Sequence, residues 1–221
     1  MKRFLWVFLT VLLFWVGLGN YIFCTYRLRD AFSQIREQLM SITSNAALSI
    51  DAQELLEVPL QQIGDSSLAY RAIFDKLETV KQTNSSLKYV YIMTTTDQLG
   101  ILQYVVDADP APQVITARSP SAFPGDKYDA RKLPEMLEAY SGPAADKKIT
   151  SDEWGSFISG YAPIRDSDGK SIAILGVDID AAKIYMLQKN VRLSGLLALA
   201  AFFIFLISLF GILIFRSKNT A

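Results

Sequence analysis

A single carboxylate interrupts an apolar run near the end of this 221-residue chain. Ile172, Ile174, Gly176 and Asp178 alternate along one face of a predicted strand. A charge in such a strand is costly unless something pairs with it. The partner is either a cationic or hydroxyl group of a ligand, or a structural bond to backbone, to Arg165 or to Arg118. Arg118, flanked by Pro112 and Pro120, could hold a carboxylate in bidentate fashion; a solvated loop arginine is the alternative. Tyr91, which shares a strand face with Tyr89 and Met93, joins Tyr128, Trp154 and Tyr161 as flat walls with a polar tip. Core packing is the competing role for each. Asp180 reads as a helix cap rather than a site residue.

Other chemistries are excluded by composition. With 0 His, the chain cannot build a Ser-His-Asp or Cys-His site, or a His-containing zinc site. Its 1 cysteine, Cys24, sits in an apolar run, which rules out a disulfide framework and a thiolate cluster. Asp107 and Asp109 start like a calcium loop, but Pro110 follows and the later Gly and Glu are missing, so this reads as a turn. Asp152 and Glu153 are adjacent on a strand and point opposite ways, and Lys147-Lys148 reads as a solvated pair. No catalytic residue, metal or cofactor is expected. The 22 Lys+Arg balance 22 Asp+Glu, which argues against nucleic acid as a partner.

The residues in question lie between two uncharged runs of 23 residues, Phe4 to Tyr26 and Leu193 to Phe215. A helix rising about 1.5 Å per residue would span a hydrocarbon core of roughly 30 Å with either run. Segment 1–26 is therefore read as a short tip plus a transmembrane helix, 27–192 as a folded outer domain, 193–215 as a second transmembrane helix and 216–221 as a tail. The first run is too long for a signal peptide and lacks a small-residue cleavage site. All 22 acidic residues and 18 of the basic ones fall in 27–192, giving it a net charge of −4. Lys2 and Arg3 tip the orientation toward cytoplasmic termini and a central domain outside.

Elements follow from pattern. From Arg27 to Ile50 there is no Gly or Pro, and Leu28, Phe32, Ile35, Leu39, Ile42 and Ala46 recur at coiled-coil spacing. A long helix is predicted, its stripe forming a homodimer seam or packing on its own domain. A second helix is predicted over Ser67 to Gln82, capped by Asp65 or Ser66. Lys88 to Thr95 and Ile101 to Val106 read as a hairpin around Asp97–Gly100. A proline-rich connector with a short helix at Leu133 to Tyr140 follows. Next come a second hairpin, Gly155 to Ile164 and Ser171 to Ile179, turning at Asp166–Gly169, and an exit helix from Ala181 into the second apolar run. The fold class is α+β.

The runs Tyr89–Ile92, Tyr104–Asp109, Asp152–Gly155, Ser159–Ile164, Asp168–Gly169 and Leu175–Ile179, in this order, resemble the Cache family. These are the PAS-like extracytoplasmic sensory domains of bacterial membrane receptors, here in single-domain form over about residues 30 to 190. The resemblance implies a PAS-like antiparallel sheet with a small-molecule pocket on its concave face, roofed by the connector, and placement in a bacterial inner membrane. The family's Arg-x-Trp amino-acid signature is absent from the connector, so amino-acid specificity is not carried over. After Phe215 only six residues remain, so a signal is expected to pass to a separate output protein. The alternatives are a truncated or split receptor and a structural or adaptor protein docking a receptor or transporter.

Overall fold

The computed structural model describes residues 2–109, 122–152 and 155–218. The uninterrupted helix-forming stretch becomes α1, Lys2–Leu48. It ends where the Ser49 and Ile50 amides fall back on the Ala46 and Ala47 carbonyls. The Asp51 carboxylate then accepts from the Gln53 and Glu54 amides and starts α2, Ala52–Leu56. A 3-10 turn at Gln62–Ser66 leads to α3, Leu68–Thr83. The cap of α3 is neither Asp65 nor Ser66 but Ser67, whose Oγ accepts the Tyr70 amide at 3.1 Å. Asp65 and Ser66 are spent inside the 3-10 turn, which a helical pattern alone does not reveal.

The strands are β1 (Leu87–Thr95), β2 (Ile101–Asp107), β3 (Lys127–Asp129), β4 (Ala144–Ala145), β5 (Thr150–Asp152), β6 (Gly155–Arg165) and β7 (Ser171–Asp180). Helix α4, Pro134–Glu138, precedes β4. All pairings are antiparallel, in the order β3-β2-β1-β7-β6-β4, with β5 also on β6. Both predicted hairpins are present. Gly100 and Gly169 turn them at φ +76° and +79°, the left-handed region that glycine enters without cost. The Asp166 carboxylate tightens the second turn by accepting the Asp168 and Lys170 amides.

Strand alternation gives the sheet two faces. On one, Val90, Ile92, Leu175, Val177, Ile158 and Ile164 are buried, and Gly160 of β6 lies directly under Leu39 of α1. Helix α3 packs on β1 and β2, burying Ile73 and Leu77. This corrects part of the dimer seam: Leu39 is only 2% exposed within its own chain. Ala46 is also covered, while Leu28, Phe32, Ile35 and Ile42 are half-buried. Arg36, beside the stripe, donates to the Ala145 carbonyl from Nε at 3.3 Å and Nη2 at 3.0 Å.

Residues 34–182 form one compact unit; residues 1–33 and 183–221 form another, made of the first part of α1 and of α5, Ala182–Lys218. Within that second unit the helices meet at small residues. A Cβ on Gly17 would sit 3.5 Å from Ala198, and Gly195 faces the Tyr21 ring. Phe14 and Phe202 pack with ring centroids 5.1 Å apart. Phe8–Leu48 and Ile184–Ser208 are helical segments long and apolar enough to cross a membrane. Phe8, Leu13, Trp15, Phe203 and Ile207 are exposed around the pair.

Candidate functional site

The other sheet face gathers the polar candidates. Tyr89, Tyr91 and Met93 of β1 pair with Asp178, Gly176 and Ile174 of β7, which pair in turn with Ser159, Tyr161 and Pro163 of β6. Two alternating patterns read separately along the sequence are thus one surface. Gly176 lets the Tyr91 ring cross β7, since a Cβ there would stand 2.4 Å from Tyr91 Cε2. The Tyr91 hydroxyl thereby donates to Asp178 Oδ1 at 3.1 Å. Tyr91 packs edge-on to Tyr104, and Tyr104 edge-on to Tyr128, with centroids 5.8 and 6.3 Å apart. The row of phenols runs across β1, β2 and β3. Met136 and Ala139, from the α4 region, cover it together with Leu133 and Tyr140.

Four carboxylates are buried among the described residues: Asp178, Asp146, Asp107 and, on α4, Glu135. Asp178 is 8% exposed. Burial, reinforced by the Asp178 charge, pushes the Tyr91 phenol well above its ordinary value, so Tyr91 stays a neutral donor. Asp146 accepts the Ser159 amide (3.1 Å) and the Thr150 hydroxyl (3.3 Å) on Oδ2, and the Tyr161 hydroxyl (3.3 Å) on Oδ1. Desolvation outweighs these bonds and raises Asp146 to about 6. Asp107 accepts the Asp109 amide on Oδ1 and the Ala122 amide on Oδ2, each at 3.0 Å. It too is raised by burial, to about 7. Its backbone carbonyl accepts the Tyr70 hydroxyl at 3.3 Å, and Lys81 pairs with neighbouring Asp109. Among the described residues the buried Tyr140 hydroxyl has no hydrogen-bond partner.

Of the sequence candidates, Asp178, Tyr91 and Tyr161 share this face, with Tyr128 at its β3 margin. Arg118 and Trp154 lie outside the described residues. Tyr161 is 1% exposed, and its hydroxyl is directed to Asp146. Arg165 is not the partner of Asp178: it donates to the Gly169 and Ser141 carbonyls at 2.8 and 3.0 Å, held at the hairpin turn. Asp180 does cap α5, accepting the Ala182 amide at 2.7 Å. Nor is Lys147 merely solvated, since it pairs with Glu135 at 3.2 Å. Asp146, Tyr104 and Tyr140 were not legible as site-face residues. Asp146 sits next to two lysines in a connector without periodicity, and only the β4–β6 pairing brings it beside Ser159 and Tyr161. Asp107, read as part of a turn, is instead the last residue of β2. Among the described residues no group of three or more His, Cys, Asp or Glu side chains could hold a metal ion.

No family model matches the chain, and no curated protein matches it in sequence. Solved structures do resemble it. The ligand-binding domain of Campylobacter jejuni chemoreceptor Tlp3, in complex with L-valine, is 18% identical with a TM-score of 0.49, covering 81% of this chain and 66% of that one. The E. coli DcuS sensor domain is 15% identical with a TM-score of 0.44, covering 74% of this chain and 98% of that one. The V. cholerae histidine kinase DctB sensor domain is 11% identical with a TM-score of 0.46, covering 78% and 56%. These chains are sensory domains by description. At such identities the likenesses carry nothing about what this chain binds.

Proposed function

We propose that the chain is a membrane-anchored extracytoplasmic sensor of the Cache type, placed in a bacterial inner membrane with both termini cytoplasmic. Its outer domain binds a small metabolite on the Tyr91–Asp178 face and passes the bound state through α5 to the second span. The observation that carries this reading is the buried Asp178 carboxylate, hydrogen-bonded to Tyr91 and two residues from Asp180, the cap of α5. A ligand amine or hydroxyl donating to Asp178 would act four residues before the start of a helix that continues into an apolar segment. Binding can shift that helix only by its differential affinity for two arrangements.

The test is a thermal-shift screen of small metabolites on the full chain in detergent. A ligand at 100 times its dissociation constant adds about 2.7 kcal/mol of stability. In Asp178→Asn the stabilisation at the same ligand concentration is expected to fall to about 0.3–1.3 kcal/mol while the unliganded protein stays folded, because losing one charge-assisted bond costs roughly 1.5–3 kcal/mol, about tenfold or more in affinity. A variant that is destabilised yet binds normally per folded molecule would make Asp178 purely structural.

Topology is checked separately. A cysteine at Ser167 is expected to be labelled from outside intact cells and one at Ser217 to be protected; the reverse pattern would invert the orientation. We also place a homodimer seam on the stripe Leu28, Phe32, Ile35 and Ile42, without Leu39. Cysteines at Ile35 are then expected to cross-link between chains far better than at Gln38, and equal yields would argue that the whole stripe faces its own domain. A structural or adaptor role is favoured by one feature, the filling of the face: Tyr91 covers Gly176, and Met93 and Tyr161 are fully buried. A screen in which no metabolite shifts the melting point would support it.

A further inference from the structure

We propose that the groove between the two apolar helices is a binding site for an anionic phospholipid, with its phosphate on Arg192 and one acyl chain laid between the helices. The proposal rests on the membrane-spanning reading above. The groove encloses about 640 Å³. On α1 it is lined by Phe14, Leu18 and Tyr21, and on α5 by Arg192, Leu199 and Phe202, so each helix contributes one stripe at helical spacing. It exists because glycines let the helices approach closely, Gly17 against Ala198 and Gly195 against the Tyr21 ring. That close crossing leaves the flanking larger residues splayed apart.

Its depth suits one acyl chain. From Tyr21 to Phe14 and from Arg192 to Phe202 the lining extends roughly 10–15 Å at about 1.5 Å per residue. One leaflet contributes about half of a core roughly 30 Å thick. Its charge selects the headgroup. Arg192 is the one charged residue of the lining and takes part in none of the ion pairs among the described residues. Arg27, Arg29 and Lys189 lie at the same ends of the two apolar segments, with Asp30 the one acidic residue among them. A guanidinium at the membrane surface binds phosphate through paired N–H donors. This collar disfavours the added ammonium of a zwitterionic lipid.

The test uses the full chain, first shown to remain with membranes on alkaline extraction, then analysed in detergent by native mass spectrometry. The probes are palmitoyl-oleoyl phosphatidylglycerol and phosphatidylcholine of the same chains, with glycerol phosphate as competitor. Phosphatidylglycerol is expected to be retained about tenfold better than phosphatidylcholine. Arg192→Gln should remove that preference, Arg192→Lys should restore part of it, and Leu199→Trp should lower retention of both lipids by filling the groove. Equal retention of the two lipids by the unaltered chain would overturn the proposal. So would an unchanged preference in Arg192→Gln, or full displacement by glycerol phosphate. Release of the chain on alkaline extraction would instead overturn the membrane reading, and the lipid site with it.

Discussion

Raising the pH from 5 to 8 is expected to lower the melting temperature of the unit formed by residues 34–182, the reverse of what paired surface carboxylates produce. Asp107 and Asp146 are pushed up from 3.8 to about 7 and about 6, chiefly by burial. Between pH 4 and these values the folded state holds protons that the unfolded chain has released. Stability therefore falls as pH rises through that window and levels off above about pH 7. At 1.36 kcal/mol per pKa unit, the loss that falls between pH 5 and 8 is about 3 kcal/mol for Asp107 and about 1 kcal/mol for Asp146, against a total of roughly 5–15 kcal/mol for a domain. Melting curves at pH 5, 6, 7 and 8 check this. Asp107→Asn should flatten the slope most, since an amide oxygen still accepts one of the two backbone amides that Asp107 now holds. Asp129 is the control, because Arg131 holds its exposed carboxyl down at about 2. Any stability it adds is lost only as pH falls through that range, outside the window. A melting point that is flat or rises from pH 5 to 8 would contradict the buried-acid account.

Gly160→Val is expected to be the most damaging single exchange in β6. The first added carbon would meet Leu39 Cβ at 2.6 Å, Leu39 C at 3.0 Å and Leu39 O at 3.2 Å. Two of these are helix backbone, which cannot rotate away. Overpacking of this kind costs typically 1–3 kcal/mol, and the branched methyls add to it. The sign is diagnostic, because replacing glycine within a strand otherwise gains roughly 0.5–1 kcal/mol. Gly142→Ala, with nothing within 4 Å of the new carbon, should be neutral or slightly stabilising. The partner's side chain is tested separately: Leu39→Ala opens a cavity costing about 2–5 kcal/mol, and it leaves the Gly160→Val clash in place, because alanine keeps the Cβ, C and O atoms. A Gly160→Val protein as stable as the parent would mean that α1 does not rest on β6 here.

Local chemistry is what one-dimensional reading captured. The second half of α1, from Arg27 to Leu48, follows from a stretch free of Gly and Pro. Both hairpins follow from aromatic and β-branched runs around turns that begin at Asp97 and Asp166 and end in Gly100 and Gly169. The start of α5 follows from Asp180. Each depends on interactions within a few residues, so the order of residue types determines it. The apolar segments are legible for a related reason, since their length and lack of charge are properties of the residues themselves. Partners far apart in sequence were decided only on folding. Whether Leu39 faces another chain or its own sheet depends on a glycine at position 160, and the spacing of the α1 stripe is identical in both cases. Asp178 could be singled out as costly, but its partner Tyr91 lies 87 residues away and reaches it only across Gly176 once β1 lies beside β7. Asp146 and Asp107 became buried acids through the pairings that closed over them. Burial belongs to the packed arrangement, and no residue carries it in its type.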